Sequence, residues 1–160
     1  MAVNYGKKFE DVVREAFEKV PGVSIDRLHD QTTKFKGTSA NICDFIVYRE
    51  PYEYYFECKS INRGAFPFSN ITDTQWNGLL QKSQIEGVFA GIIVWFIKDE
   101  VTCFIPIQLL VELKNGGHKS INVKDVDNFV YELGGAFKLV GKKKRIFYEY
   151  DMVEFFTHFE

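Results

Sequence analysis

Asp44-Phe45-Ile46-Val47-Tyr48, followed across Arg49-Glu50-Pro51-Tyr52 by Glu53-Tyr54-Tyr55-Phe56-Glu57-Cys58-Lys59, is the stretch on which the fold turns. Both runs are rich in β-branched and aromatic residues, which suit a pleated, half-buried surface, and the segment between them carries a proline, so the two read as a hairpin. If the hairpin closes symmetrically about Glu50 and Pro51, cross-strand partners have numbers that sum to 101. Phe45 then faces Phe56, Ile46 faces Tyr55 and Val47 faces Tyr54, apolar against apolar each time. The same register sets Asp44 opposite Glu57.

Working outward, residues 5–20 place Tyr5, Phe9, Val12, Val13, Ala16, Phe17 and Val20 at helical spacing, and Pro21-Gly22 stops the helix. Val23 to Leu28 alternates as a short strand, and His29 to Asn41 is a polar loop carrying Lys34 and Lys36. Thr72 with Gln75 has the spacing of a capping box and opens a helix whose apolar face is Trp76, Leu79, Leu80 and Ile85, with Gly87 closing it. A second hairpin joins Val88–Ile97 to Val101–Ile105 through Lys98-Asp99-Glu100, its first strand apolar enough to be central in a sheet. Pro106 to Lys114 is a short helix closed by Gly116-Gly117. Ser120 to Tyr131 gives mixed helical signals, and Phe137 to Phe159 reads as a basic-tipped strand pair and a last short helix. This order describes an α/β architecture, a mixed central sheet flanked by helices.

At 160 residues the expectation is one domain spanning residues 1–160. The longest apolar run, Val88 to Ile97, is about half the roughly 20 residues a membrane span needs, so no membrane role is expected. Met1 to Tyr5 lacks a secretory pattern, and three cysteines without CxxC spacing suit free thiols in a cytoplasmic protein. His29, His118 and His158 have no metal-ligand spacing, and the Gly pairs at 116–117 and 134–135 belong to no phosphate-cradling pattern. The net charge of −2 counts against nucleic acid as a partner, but the basic residues are clustered, at Lys7-Lys8, Lys34-Phe35-Lys36, Lys59 to Arg63 and Lys142 to Arg145. Solvated surface charge explains each cluster, taken alone, about as well.

Directly opposed carboxylates with Cβ atoms about 4.5–5.5 Å apart repel unless a cation sits between them. Glu57 and Lys59 share a strand face, so two acids and a lysine converge. That set suits phosphodiester hydrolysis assisted by Mg²⁺, with Lys59 stabilising the transition state. The spacing also fits an ordinary polar strand start at Asp44 and an exposed, salt-bridged edge at Glu57 and Lys59, and on generic statistics that is the commoner outcome.

Asp44 followed thirteen positions later by Glu57-Cys58-Lys59 resembles the D…(D/E)xK motif of the restriction-endonuclease-like nucleases. With Gly6-Lys7-Lys8-Phe9-Glu10, Phe66-Pro67-Phe68, Gln75-Trp76, Gly91 to Phe96 and Lys119-Ser120-Ile121, the chain from about residue 5 to 125 is similar to the RecU family of Holliday junction resolvases. The resemblance implies a homodimer that nicks branched DNA, with Mg²⁺ or Mn²⁺ held by Asp44 and Glu57 and assisted by Gln75, and Lys59 as transition-state stabiliser. Glu10 takes the place of a helix-borne acid near the metal, and serves equally well as a helix N-terminal charge. For Gln75 the capping box is an equal alternative. The family commonly carries threonine where this chain has Ile42, and the segment before Asp44 is short for a projecting stalk. Related nucleases that cut other DNA, and a catalytically silent DNA- or partner-binding module of the same fold, are the competing functions.

Overall fold

The computed structural model describes residues 4–28, 41–129 and 135–159. Helix α1 spans Tyr5–Glu18, capped by the Asn4 side chain, which accepts from Lys7 N; Gly22, at φ +75°, turns the chain out of it. Strands β1 (Ser24–Arg27), β2 (Phe45–Arg49) and β3 (Tyr52–Ile61) form an antiparallel meander. The register of β2 on β3 is the expected one: Phe45 with Phe56, Ile46 with Tyr55, Val47 with Tyr54. Both strands run further toward the turn than the sequence suggests, so that Arg49 pairs with Tyr52.

After β4 (Ala65–Pro67) and a single 3-10 turn, α2 (Asp73–Ser83) carries the chain over to β5 (Val88–Phe96), which lies parallel to β3. Strand β6 (Val101–Pro106) returns antiparallel and leads into α3 (Ile107–Asn115). β7 (Ser120–Asn122) pairs with β4, α4 (Val126–Phe129) follows, and β8 (Phe137–Lys138) adds to β6. The central sheet therefore runs β1-β2-β3-β5-β6-β8, with β5 inside it as expected. A separate hairpin of β9 (Val140–Lys143) and β10 (Tyr148–Asp151) and a last helix, α5 (Val153–Phe159), complete the chain.

Side chains alternate across the sheet, so its two faces build two cores. One gathers Tyr55, Ile92, Val94, Phe96, Cys103 and Ile105 with Leu79 of α2 and Leu109 and Leu110 of α3. The other gathers Phe45, Val47, Tyr54, Phe56, Cys58, Ile93 and Trp95 with Phe9, Val13 and Phe17 of α1 and Phe155 and Phe156 of α5. Much of the high aromatic content goes here: Phe17 stacks on Phe56 at 5.0 Å, and Phe155 meets Phe56 at 5.6 Å and Phe104 at 5.4 Å.

Two expectations are corrected. Ile85 does not belong to the apolar face of α2, which ends at Ser83; it is half exposed beyond the helix end. Ser120 to Tyr131, where the helical signals are mixed, begins as a strand, because Ile121 is drawn to Phe66 across the β4–β7 pair, and turns α-helical at Val126–Phe129. The loop expectation for His29 to Ala40, with Lys34 and Lys36, lies outside the described residues.

Phe155 is fully buried, so Phe155→Ala is expected to lower unfolding free energy by about 3–5 kcal/mol, read from the urea midpoint. A change within about 0.5 kcal/mol would mean that α5 is not part of the core.

Candidate active site

Asp44 is held by its backbone before its side chain does anything. Its N–H donates to Phe56 O at 3.0 Å and its carbonyl accepts from Leu28 N at 2.7 Å, so β1 and β3 grip it from both sides. The side chain then accepts from Cys58 N at 2.8 Å, where β3 runs on past the start of β2 and its amide lacks a ladder partner. Asp44 is thus fixed beside Glu57, as the register requires.

Glu57 is 5% exposed, which removes the reading of an exposed salt-bridged edge. The ion pair itself exists: Lys59 Nζ lies 3.1 Å from Glu57 Oε2. Gln75 Nε2 donates to the same oxygen at 2.9 Å. Burial first, and then the neighbouring Asp44 charge, push the Glu57 carboxyl up to about 8, while Lys59 pulls the other way. The close Asp44 carboxyl adds a further, smaller upward push.

Gln75 closes the capping box and also reaches the site. Its Oε1 accepts from Thr72 N at 3.1 Å and Thr72 Oγ1 accepts from Gln75 N at 3.2 Å, a closed capping box, while its Nε2 reaches Glu57. In this conformation Gln75 presents a donor to the site and its carbonyl oxygen is engaged by the cap. α2 comes this close because position 78, one turn on, is glycine: a Cβ there would stand 2.2 Å from Ile42 Cγ2. Ile42, which takes the place of the family's threonine, therefore packs under α2.

Glu10 sits on α1, across the sheet from α2. Arg27 of β1 grips it at 2.8 Å and grips Asp11 at 2.8 Å. Neither Arg27 nor Asp11 was singled out from sequence; the only sequence signal was an arginine at the end of a short alternating strand. The thiols flanking the motif carry no charge at neutral pH: burial pushes Cys43 up to about 12, and it likewise raises Cys58 well above its ordinary value. Of the histidines, His118 is exposed and the His158 ring packs on Phe137 at 4.7 Å; His29 lies outside the described residues. No cluster of three or more His, Cys, Asp or Glu suited to a metal occurs among the described residues, and none of their helices is long and apolar enough to cross a membrane.

The arrangement places two carboxylates, an ammonium and an amide donor together where β3 emerges beyond β2, a grouping able to bind a hard divalent cation and a phosphate oxygen side by side. A family model described as RecU: Recombination protein U matches residues 5–141. Among solved structures, the 1.6 Å structure of Archaeoglobus fulgidus Hjc, a Holliday junction resolvase from an archaeal hyperthermophile, is 18% identical, with a TM-score of 0.45, covering 64% of this chain and 78% of that one. No curated protein matches in sequence.

In metal-free protein the buried Glu57 binds its proton more tightly than in the unfolded chain, where it titrates near its ordinary 4.5. Between that value and about 8 the native state holds the extra proton, so stability must fall as pH rises through this window. Urea midpoints measured in EDTA should show this decline in wild type and a flatter profile in Glu57→Gln. Parallel profiles would mean that Glu57 does not titrate as a buried acid.

Proposed function

Because this chain belongs to the RecU (Recombination protein U) family, we propose that it is a single-domain, divalent-metal-dependent endonuclease resolving four-way DNA junctions, with Asp44, Glu57 and Lys59 as its catalytic centre. The observation that carries the reading is the buried Glu57 carboxyl, set against Asp44 and held by Lys59 and Gln75.

The donor set fits Mg²⁺ or Mn²⁺. Two carboxylates side by side, one of them raised by burial and by the charge of the other, are relieved by a hard dication with oxygen ligands. A metal bound here supplies Lewis acidity and a hydroxide nucleophile at neutral pH. Asp44 and Glu57 would hold it, both in their ionised form. Gln75 fixes the Glu57 carboxylate through Nε2 and would be the third residue to assist in holding the metal. Lys59, already beside Glu57, points an ammonium at the scissile phosphate and offsets the charge that builds up as the bond breaks. Glu10 works through Arg27, holding α1 on β1 next to the Leu28–Asp44 hydrogen bond.

A four-way junction has two-fold symmetry, so paired cuts call for two linked active sites and hence a homodimer. This function places the protein with DNA in the cytoplasm.

The test is a synthetic four-way junction with Mg²⁺ beside a linear duplex of the same sequence. Paired, symmetrical nicks in the junction are expected. Equal cutting of the duplex would refute junction selectivity, and binding without cutting would refute the nuclease. Asp44→Asn should abolish cutting and leave junction binding intact. Lys59→Ala should lower the single-turnover rate by about 10²–10³-fold.

A further inference from the structure

The β9–β10 hairpin stands apart from the central sheet, and every residue from Val140 to Ile146 is exposed. In a chain of net charge −2 it concentrates Lys142, Lys143, Lys144 and Arg145 in an unbroken run. The family match ends at residue 141, just before them.

Two features set this hairpin apart from a solvated tip. The first is that it is rigidly seated. Phe147 packs on Trp95 at 5.3 Å, Tyr150 packs on Phe9 at 6.4 Å, and the Tyr150 hydroxyl lies 2.6 Å from Thr102 Oγ1 in a buried hydrogen bond. Cations fixed in position lose less freedom on meeting a ligand than cations on a loose loop. The second is that the charge is only partly matched. Lys143 pairs with Glu100, and Glu149 is shared between Lys144 and Lys19 at 3.3 Å each. Lys142 and Arg145 have no ion-pair partner among the described residues. Lys8 of α1 sits over the Phe147 ring, 6.0 Å from its centroid, and extends the basic surface.

The position is informative as well. Trp95, on which the tip rests, pairs with Ser60 of β3, the residue after Lys59. The hairpin therefore lies on the α1 face of the sheet, opposite the face that carries Glu57 and Lys59, so DNA held there is gripped away from the reacting phosphate.

We propose that the β9–β10 hairpin is a second DNA-contact surface of this chain, gripping the phosphate backbone of a duplex arm through Lys142 and Arg145 independently of base sequence. The proposal builds on the nuclease reading but concerns affinity, not cutting. Phosphate contacts release condensed counterions, so each one contributes about 0.9 to the slope of log affinity against log salt. Lys142→Ala/Arg145→Ala should therefore reduce that slope by about 2, measured by fluorescence anisotropy on a plain duplex with Ca²⁺ replacing Mg²⁺. Affinity at low salt should fall about tenfold or more, equally for unrelated sequences. Lys142→Arg/Arg145→Lys should restore both, which excludes a merely structural effect.

An unchanged slope and affinity in the double alanine variant would overturn the hairpin proposal while leaving the nuclease standing. Failure to cut junctions, with hairpin-dependent duplex binding intact, would overturn the nuclease and leave the hairpin. Wild-type protein that binds no DNA would overturn both. Should the alanine pair unfold, Lys142→Gln/Arg145→Gln carries the same expectations.

Discussion

The middle of strand β3, Tyr54 to Cys58, is buried on both faces. It lies between β2 and β5 with α1 and α5 packed on one side and α2 and α3 on the other, so its apolar residues are divided between the two cores. Tyr54, Phe56 and Cys58 enter the aromatic core; Tyr55 enters the second core, and Glu57 and Lys59 follow on the same face. A slip of one residue against β2 would exchange these sets, sending a carboxylate among phenylalanine rings and Phe56 to the site of Glu57. The aromatic packing that stabilises the sheet is therefore also what positions the acid, and the two cannot be altered separately.

Burial of Glu57 then dictates its surroundings. An ionised carboxylate removed from water is costly unless it is paired and hydrogen-bonded. Lys59 and Gln75 supply one contact each, both to Oε2, and the pressure that remains shows as a carboxyl that keeps its proton to about 8. Gln75 is available because α2 starts where it does, and α2 starts there because Thr72 and Gln75 close a capping box. A helix cap, ordinarily a local stabilising device, here links the helix register to the charge state of a buried acid. With Asp44 and Glu57 both ionised the group carries more negative than positive charge, which makes a cation the natural completion.

The register of β2 on β3 was legible because every apolar residue found an apolar partner at a single closure, and the cap was legible because Thr72 and Gln75 stand three apart. Other features depended on contacts distant in sequence. Glu57 could be read as exposed or buried until α2 covered it, and what allows α2 to cover it is the glycine at position 78 meeting Ile42, a pairing no periodicity reveals. Phe66 and Ile121 both stood out from the sequence, but their strands are three residues each and gave no sign of pairing with each other. Ile85 fitted the helical period, which carries no information about where the helix stops. The Arg27 clamp joins a strand end to α1 through residues that are unremarkable separately.

The mild acidity of the chain takes on a different meaning once its charges are located. Glu10 and Asp11 are held by Arg27, Glu57 is buried, and Glu100 and Glu149 are engaged by lysines of the β9–β10 hairpin. These acids are thus bound up in short-range pairs, whose fields are dipolar and decay faster with distance than those of single charges. Lys142 and Arg145 stand exposed at the hairpin. A polyanion approaching this side of the molecule meets their monopole field rather than the average of the sequence. The aromatic residues contribute to this separation from within: Phe147, Tyr150, Phe155 and Phe156 turn inward onto Trp95, Phe9, Phe17 and Phe56, which fixes residues 147–156 to the sheet and leaves the hairpin's cations facing water.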